Sequence, residues 1–341
     1  MSISRISLAI AVLVVGLFGF VLSSQASVIN MTADDAVGTT SFNTAGHWSD
    51  SNAPAAANDY TNLNSPTTPV RGQLLRTPSS AGNFSFAGNS LTITGVAAVV
   101  TPANQAIIWK GTGGSAATPN VITVNNLTLN PNGFIRHGSG SADFFALAGN
   151  LLINGGIIDA QGPTYIQSLV SGSATVIIDS PGNTDVARTV HFTNGANTYT
   201  GSINLTEQND GLGTNVPRFE LDSTGVLNFV IGANGVNNSV FTTLTGIATY
   251  DGAFNFNLAG ADNTPGDIWS VAAATTQTFT GTFTVTGFNN DGGGIWDEVA
   301  NGVDYQFSQT TGQLTVVPEP SALLLAGLSL VGLIGAARRR K

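Results

Sequence analysis

Three acids lie near one another along the chain: Asp159 in GGIIDAQG (155–162), Asp179 after it, and Asp185 in SPGNTD (180–185). Two such groups flanking a sugar linkage can protonate the glycosidic oxygen and activate water. The simpler reading of Asp159 and Asp179 is a corner role, with each carboxylate accepting local backbone N–H groups. A second acidic group, Asn289, Asn290, Asp291, Asp297 and Glu298 in FNNDGGGIWDE (288–298), offers the oxygen ligands that Ca²⁺ takes. It lacks the ligand alternation of an EF-hand loop, so a tight turn with surface acids is expected. His47, His137 and His191 are scattered, with no H-E-x-x-H and no cysteine in the chain, so their spacing supplies no zinc site. Trp48, Trp109, Trp269 and Trp296 could stack on sugars, but scattered tryptophans are expected to pack inside. No G-x-S-x-G elbow and no glycine loop leading into a helix occurs. No catalytic residue, metal ligand or cofactor is therefore assigned, and the chain is expected not to be an enzyme.

The elements that must position these residues read as strands. SLTITG (90–95), VITVNNLTLNPNG (121–133), NLLINGGIID (150–159), ATVIIDSPG (174–182) and GSINLTE (201–207) are short, β-branched and bounded by Gly or Asn. Aligning Leu91, Leu127, Leu151, Ile177 and Leu205 gives steps of 36, 24, 26 and 28 residues. Steps in the mid-twenties suit the coils of a parallel β-solenoid, right-handed β-helix-like. An antiparallel sandwich is the competing all-β arrangement. The expected organisation is a signal peptide over 1–26, a solenoid body over 27–244, a β-rich cap or small sandwich over 245–316, and a sorting segment over 317–341.

Between residues 27 and 317, six cations (Arg71, Arg76, Lys110, Arg136, Arg188 and Arg218) face 19 acids, a net charge of −13. Such a body does not bind nucleic acid or anionic lipid through bulk electrostatics. With no cysteine, stability must come from burial and backbone pairing.

The two ends carry an address. Arg5, an apolar run from Leu8 to Leu22 and Ser24-Gln25-Ala26 have the order of a secretory signal, with cleavage expected after Ala26. At the other end, Ser321 to Ala337 is a charge-free run of 17 residues, about 25 Å long as a helix. Arg338, Arg339, Arg340 and Lys341 then form a basic anchor expected to stay cytoplasmic. Val317, Pro318, Glu319 and Pro320 lie between body and helix. Two prolines in this stretch remove amide donors and disfavour helix, leaving an extended segment outside any sheet.

V-P-E-P, an apolar helix and a terminal Arg cluster resemble the PEP-CTERM sorting signal of Gram-negative bacteria. The resemblance implies a membrane-anchored precursor processed by exosortase and then placed at the cell surface or in the extracellular matrix. GHWSD (46–50), LRTP (75–78), FAGNSLTI (86–93) and the closing YQFSQTTGQLTV (305–316) resemble proteins with autotransporter-type passenger repeats, which implies architecture and location but no reaction. GGIIDAQG and SPGNTD echo the G-x-I-D-G-x-G and N-T-D patterns of polygalacturonase-like glycosidases, and the resemblance would make Asp159 and Asp185 the candidate acids. The chain departs from that pattern where it matters: no Asp-Asp pair follows at a coil's distance, and neither G-H-G nor R-I-K occurs. The expected function is a surface or matrix structural or adhesive protein, with extracellular polysaccharide as a partner. A polysaccharide-active glycosidase or lyase, or a carbohydrate-binding module, is the alternative.

Overall fold

The computed structural model describes residues 26–65, 71–97, 105–180, 188–207 and 216–318. Every regular element among them is a β-strand. Ten strands form one parallel ladder in chain order: Ser27–Asn30, Asn58–Thr61, Ser90–Ile93, Asn120–Leu129, Phe145–Ile153, Thr164–Ile166, Val190–Phe192, Arg218–Leu221, Ile247–Tyr250 and Thr276–Phe279. A second parallel ladder, also in chain order, runs through Leu75–Arg76, Ala106–Trp109, Phe134–His137, Ile157–Ala160, Val176–Asp179, Ile203–Leu205, Val240–Thr242 and Ala272–Ala273. From Leu75 onward the chain alternates between the two, so each circuit adds a strand to both. Parallel neighbours need a crossover, and here the strand of the opposite ladder provides it. This arrangement is consistent with a β-solenoid.

Side-chain alternation then fixes the core, because register partners in successive coils point the same way. Leu75, Ile107, Ile135, Ile158, Ile178 and Leu205 form one continuous stack of register partners. Ile122, Leu147, Ile166, Phe192, Leu221, Tyr250 and Phe279 form another on the opposite ladder. All but Phe279 are buried, and each such side chain contributes roughly 1.5–3 kcal/mol by leaving water. Nearly identical stacks in successive coils explain how short strands hold a chain with no disulfide.

The predicted repeat is partly in register. Leu91, Leu127 and Leu151 are ladder partners, as aligned. Leu151 then pairs with Val170, whereas Ile177 belongs to the other ladder and its neighbour Ile178 pairs with Leu205. The error arises because both ladders carry the same aliphatic alternation, so a step of about one coil can cross between them unnoticed. Ile247–Tyr250, Ala253–Asn257 and Thr276–Phe279 continue the parallel stacking. Within the same stretch, Ile268–Ser270 joins an antiparallel sheet with Gln313–Val316, Val303–Ser308, Ile295–Ala300 and Asn289–Gly292. Phe307 and Trp296 of that sheet lie against Phe254 and Phe283 of the last coils, at ring separations of 5.6 and 5.8 Å. The expected C-terminal transmembrane helix lies outside the described residues.

Candidate functional site

Asp159 and Asp179 are built into the second ladder. Arg136, Asp159 and Asp179 are register partners on three successive strands, on the face opposite Ile135, Ile158 and Ile178. Arg136 Nε donates to Asp159 Oδ2 at 2.9 Å, and Asp179 Oδ1 accepts the Ser180 N–H at 2.8 Å. Asp179 thus has the local backbone contact expected of a corner, while Asp159 is held by a guanidinium. Both are only 1% exposed, so neither carboxylate is open to solvent. Asp185 lies outside the described residues.

All four tryptophans are buried, so none offers a ring face to solvent. Trp48 Nε1 donates to the Ser41 carbonyl at 2.6 Å and Trp269 Nε1 to the Ala233 carbonyl at 2.9 Å. His137 is also buried, with Trp109 at a ring separation of 4.7 Å and Nε2 2.9 Å from the Asp143 carbonyl oxygen. Burial pushes its pKa down to about 4, against weaker opposing effects of Asp143. In FNNDGGGIWDE, Gly292, Gly293 and Gly294 have φ of 87°, 63° and 81°, the conformation this hairpin turn requires. The Gly292 N–H closes it on Asn290 Oδ1 at 2.8 Å. Among the described residues, this loop gathers no group of three imidazole or carboxylate ligands.

A three-ligand group occurs elsewhere, on the outer face of the first ladder. His191 is the register partner of Glu220 in the next coil, and Asp222 follows two residues later, hence on the same face. His191 Nδ1 lies 2.9 Å from Asp222 Oδ1 and 3.6 Å from Glu220 Oε2. One ligand atom from each residue lies within 4.8 Å of the others. Tyr165, one coil before, stacks on the imidazole at 4.4 Å with planes 10° apart. Burial raises the Glu220 pKa; His191 opposes this, and the carboxylates of Asp222 and Asp251 add to it. Sequence spacing hid this group because its members are 29 and 31 residues apart, close to one coil. Laying TVHFTN on RFELDS brings His191 opposite Glu220 and would have found it.

A cleft of about 530 Å³ lined by Thr39, Thr40, Arg76, Thr77 and Lys110 brings together two of the few cations of the acidic body. Arg76 Nε donates to the Asp35 carbonyl at 2.9 Å, and Lys110 Nζ donates to the Gly138 carbonyl. Burial lowers the Lys110 pKa, with Arg76 and Arg136 adding to the effect.

The body's last strand prepares the sorting segment. Gln313–Val316 is paired on both sides, with Ile268–Ser270 and with Val303–Ser308. The Val317 N–H still donates to the Asp304 carbonyl at 2.8 Å. Pro318, which has no N–H, is exposed and ends the pairing. Ala26, the expected signal-cleavage residue, is the first described residue and precedes the strand Ser27–Asn30. Glu319, Pro320, Arg338, Arg339, Arg340 and Lys341 lie outside the described residues.

The fold therefore defines an all-β protein of stacked parallel coils whose last strand runs into an exposed Pro. From Val316 onward it carries a known signal. The family described as PEP-CTERM protein-sorting motif matches residues 316–341, which marks an exported protein sorted by exosortase. Comparisons of the chain with curated proteins and with solved structures gave no match.

Proposed function

We propose that this protein is a non-enzymatic structural or adhesive component of the cell surface or extracellular matrix. Exosortase processes its tail after the body has crossed the membrane. The observation that carries the reading is the sorting motif at 316–341, which begins where the last strand stops pairing. Burial of Asp159 and Asp179 supports a structural role for the acids that most resembled catalytic ones. The likeness of the body to autotransporter-type repeats fits the same reading, since stacked coils present long, regular outer faces. Extracellular polysaccharide is the partner, and the Arg76/Lys110 cleft suits a uronate carboxylate beside a sugar ring.

Mass spectrometry of the C-terminal peptide, from surface and culture-fluid fractions of cells with and without exosortase, tests the sorting half. A mature C-terminus within Val317–Pro320, dependent on exosortase, is the expected result; Lys341 retained in the surface protein contradicts it. Incubation with polyuronates or native exopolysaccharide tests the other half, and reproducible chain cleavage would sink the non-enzymatic reading.

A further inference from the structure

We propose that His191, Glu220 and Asp222 form a binding site for a divalent transition-metal cation, Zn²⁺ in preference to Ca²⁺ or Mg²⁺, that ties two successive coils together. The ligand set decides the metal class. Ca²⁺ and Mg²⁺ are held by oxygen, whereas an imidazole nitrogen with two carboxylate oxygens suits Zn²⁺.

Geometry supports this over a plain hydrogen bond. Ligands at Zn²⁺ bond lengths of about 2.0–2.2 Å in a tetrahedron lie roughly 3.4 Å apart. The separations of 2.9 and 3.6 Å from His191 Nδ1 to the two carboxylates straddle that value. A single Nδ1 carries at most one proton, which it can give to one carboxylate, yet two converge on it; a dication compensates both. The ligands sit on a rigid frame. Strand register fixes His191 against Glu220. The Asp222 backbone is tied by its N–H to the Phe192 carbonyl at 3.0 Å, and its carbonyl accepts the Gly225 N–H at 2.7 Å. Tyr165 restrains the imidazole plane. Side-chain exposures of 14%, 35% and 26% for His191, Glu220 and Asp222 leave the group reachable from solvent. Three protein ligands leave the fourth tetrahedral position to water.

Titration calorimetry of the purified full chain with Zn²⁺ tests the site, together with the visible absorption of bound Co²⁺. The expected result is one Zn²⁺ per chain and a tetrahedral Co²⁺ spectrum, with Ca²⁺ and Mg²⁺ failing to compete. Glu220→Gln and Asp222→Asn should each weaken Zn²⁺ binding by about tenfold or more. His191→Phe keeps a ring against Tyr165 while removing the nitrogen, and should abolish the Co²⁺ spectrum; His47→Ala should change neither readout. Circular dichroism confirms that each variant folds, and Glu220→Gln, nearly isosteric and half-exposed, carries the test if His191→Phe does not fold. Absence of stoichiometric binding, or an affinity and Co²⁺ spectrum untouched by the folded variants, overturns the proposal.

Discussion

Acidification should destabilise this protein through His137 in a defined window. The imidazole is fully buried, and its Nδ1 has no hydrogen-bond partner among the described residues. Its pKa accordingly falls from the ordinary 6.5 to about 4 in the folded chain. Between these values the unfolded chain binds a proton that the folded chain refuses, so stability falls as pH drops from 6.5 to 4 and is unaffected by this group above that range. Each pH unit is worth about 1.36 kcal/mol, so the whole window removes about 3 kcal/mol. That is a large share of the roughly 5–15 kcal/mol typical of a folded domain. Carboxylates titrate over the same range, and their effect must be subtracted. Urea unfolding at several pH values between 7.5 and 4, in the wild type and in His137→Gln, does so, since Gln keeps a donor for the Asp143 carbonyl but no titrating ring. The stability advantage of the wild type over the variant should shrink by about 3 kcal/mol across the window. A difference that stays constant from pH 7.5 to 4 would show that His137 is not held neutral by burial and would refute the reasoning.

Three substitutions test how the coils are closed. A Cβ at Gly225 would lie 2.3 Å from the Phe192 carbonyl oxygen and 2.7 Å from Leu221 Cδ1. Gly225→Ala should therefore cost about 1–3 kcal/mol in urea unfolding, whereas Gly281→Ala, with nothing within 4 Å, should stay within about 0.5 kcal/mol of wild type. Phe307 is fully buried, with ring separations of 5.6, 5.7 and 5.8 Å to Phe254, Phe256 and Phe279. Phe307→Ala should cost about 3–5 kcal/mol, and because each coil is coupled chiefly to its neighbours, hydrogen exchange should rise first in residues 247–316 while Leu91 and Leu127 stay protected.

The all-β class and the parallel stacking were legible because Gly- and Asn-bounded strands recur at coil-like steps, and Leu91, Leu127 and Leu151 are in register as read. Beyond Leu151 the same alternation appears on both ladders, and hydrophobic pattern alone does not say which one a strand joins. The metal group was illegible for a related reason. Its ligands are neighbours only after a 29-residue coil is laid on the next, and the coils vary in length: the step is 20 residues from Ile157 to Ile177 and 29 from Val190 to Phe219. Burial of Asp159 was hidden as well, since G-I-I-D reads identically whether the face beyond the aspartate is solvent or packed protein.

The junction at Val316 explains how an address can be attached to such a body without disturbing it. The exit strand is an interior strand of the antiparallel sheet, with partners on both sides. Tension on the tail must therefore shear several backbone hydrogen bonds at once rather than peel an edge. Val317 adds one further bond and Pro318 can add none. A cut beyond Pro318 removes no partner from this ladder, so its pairing does not depend on the residues that follow. Dependence runs the other way: only after Gln313–Val316 has closed between its neighbours is Pro318 held at a fixed, exposed edge of the fold.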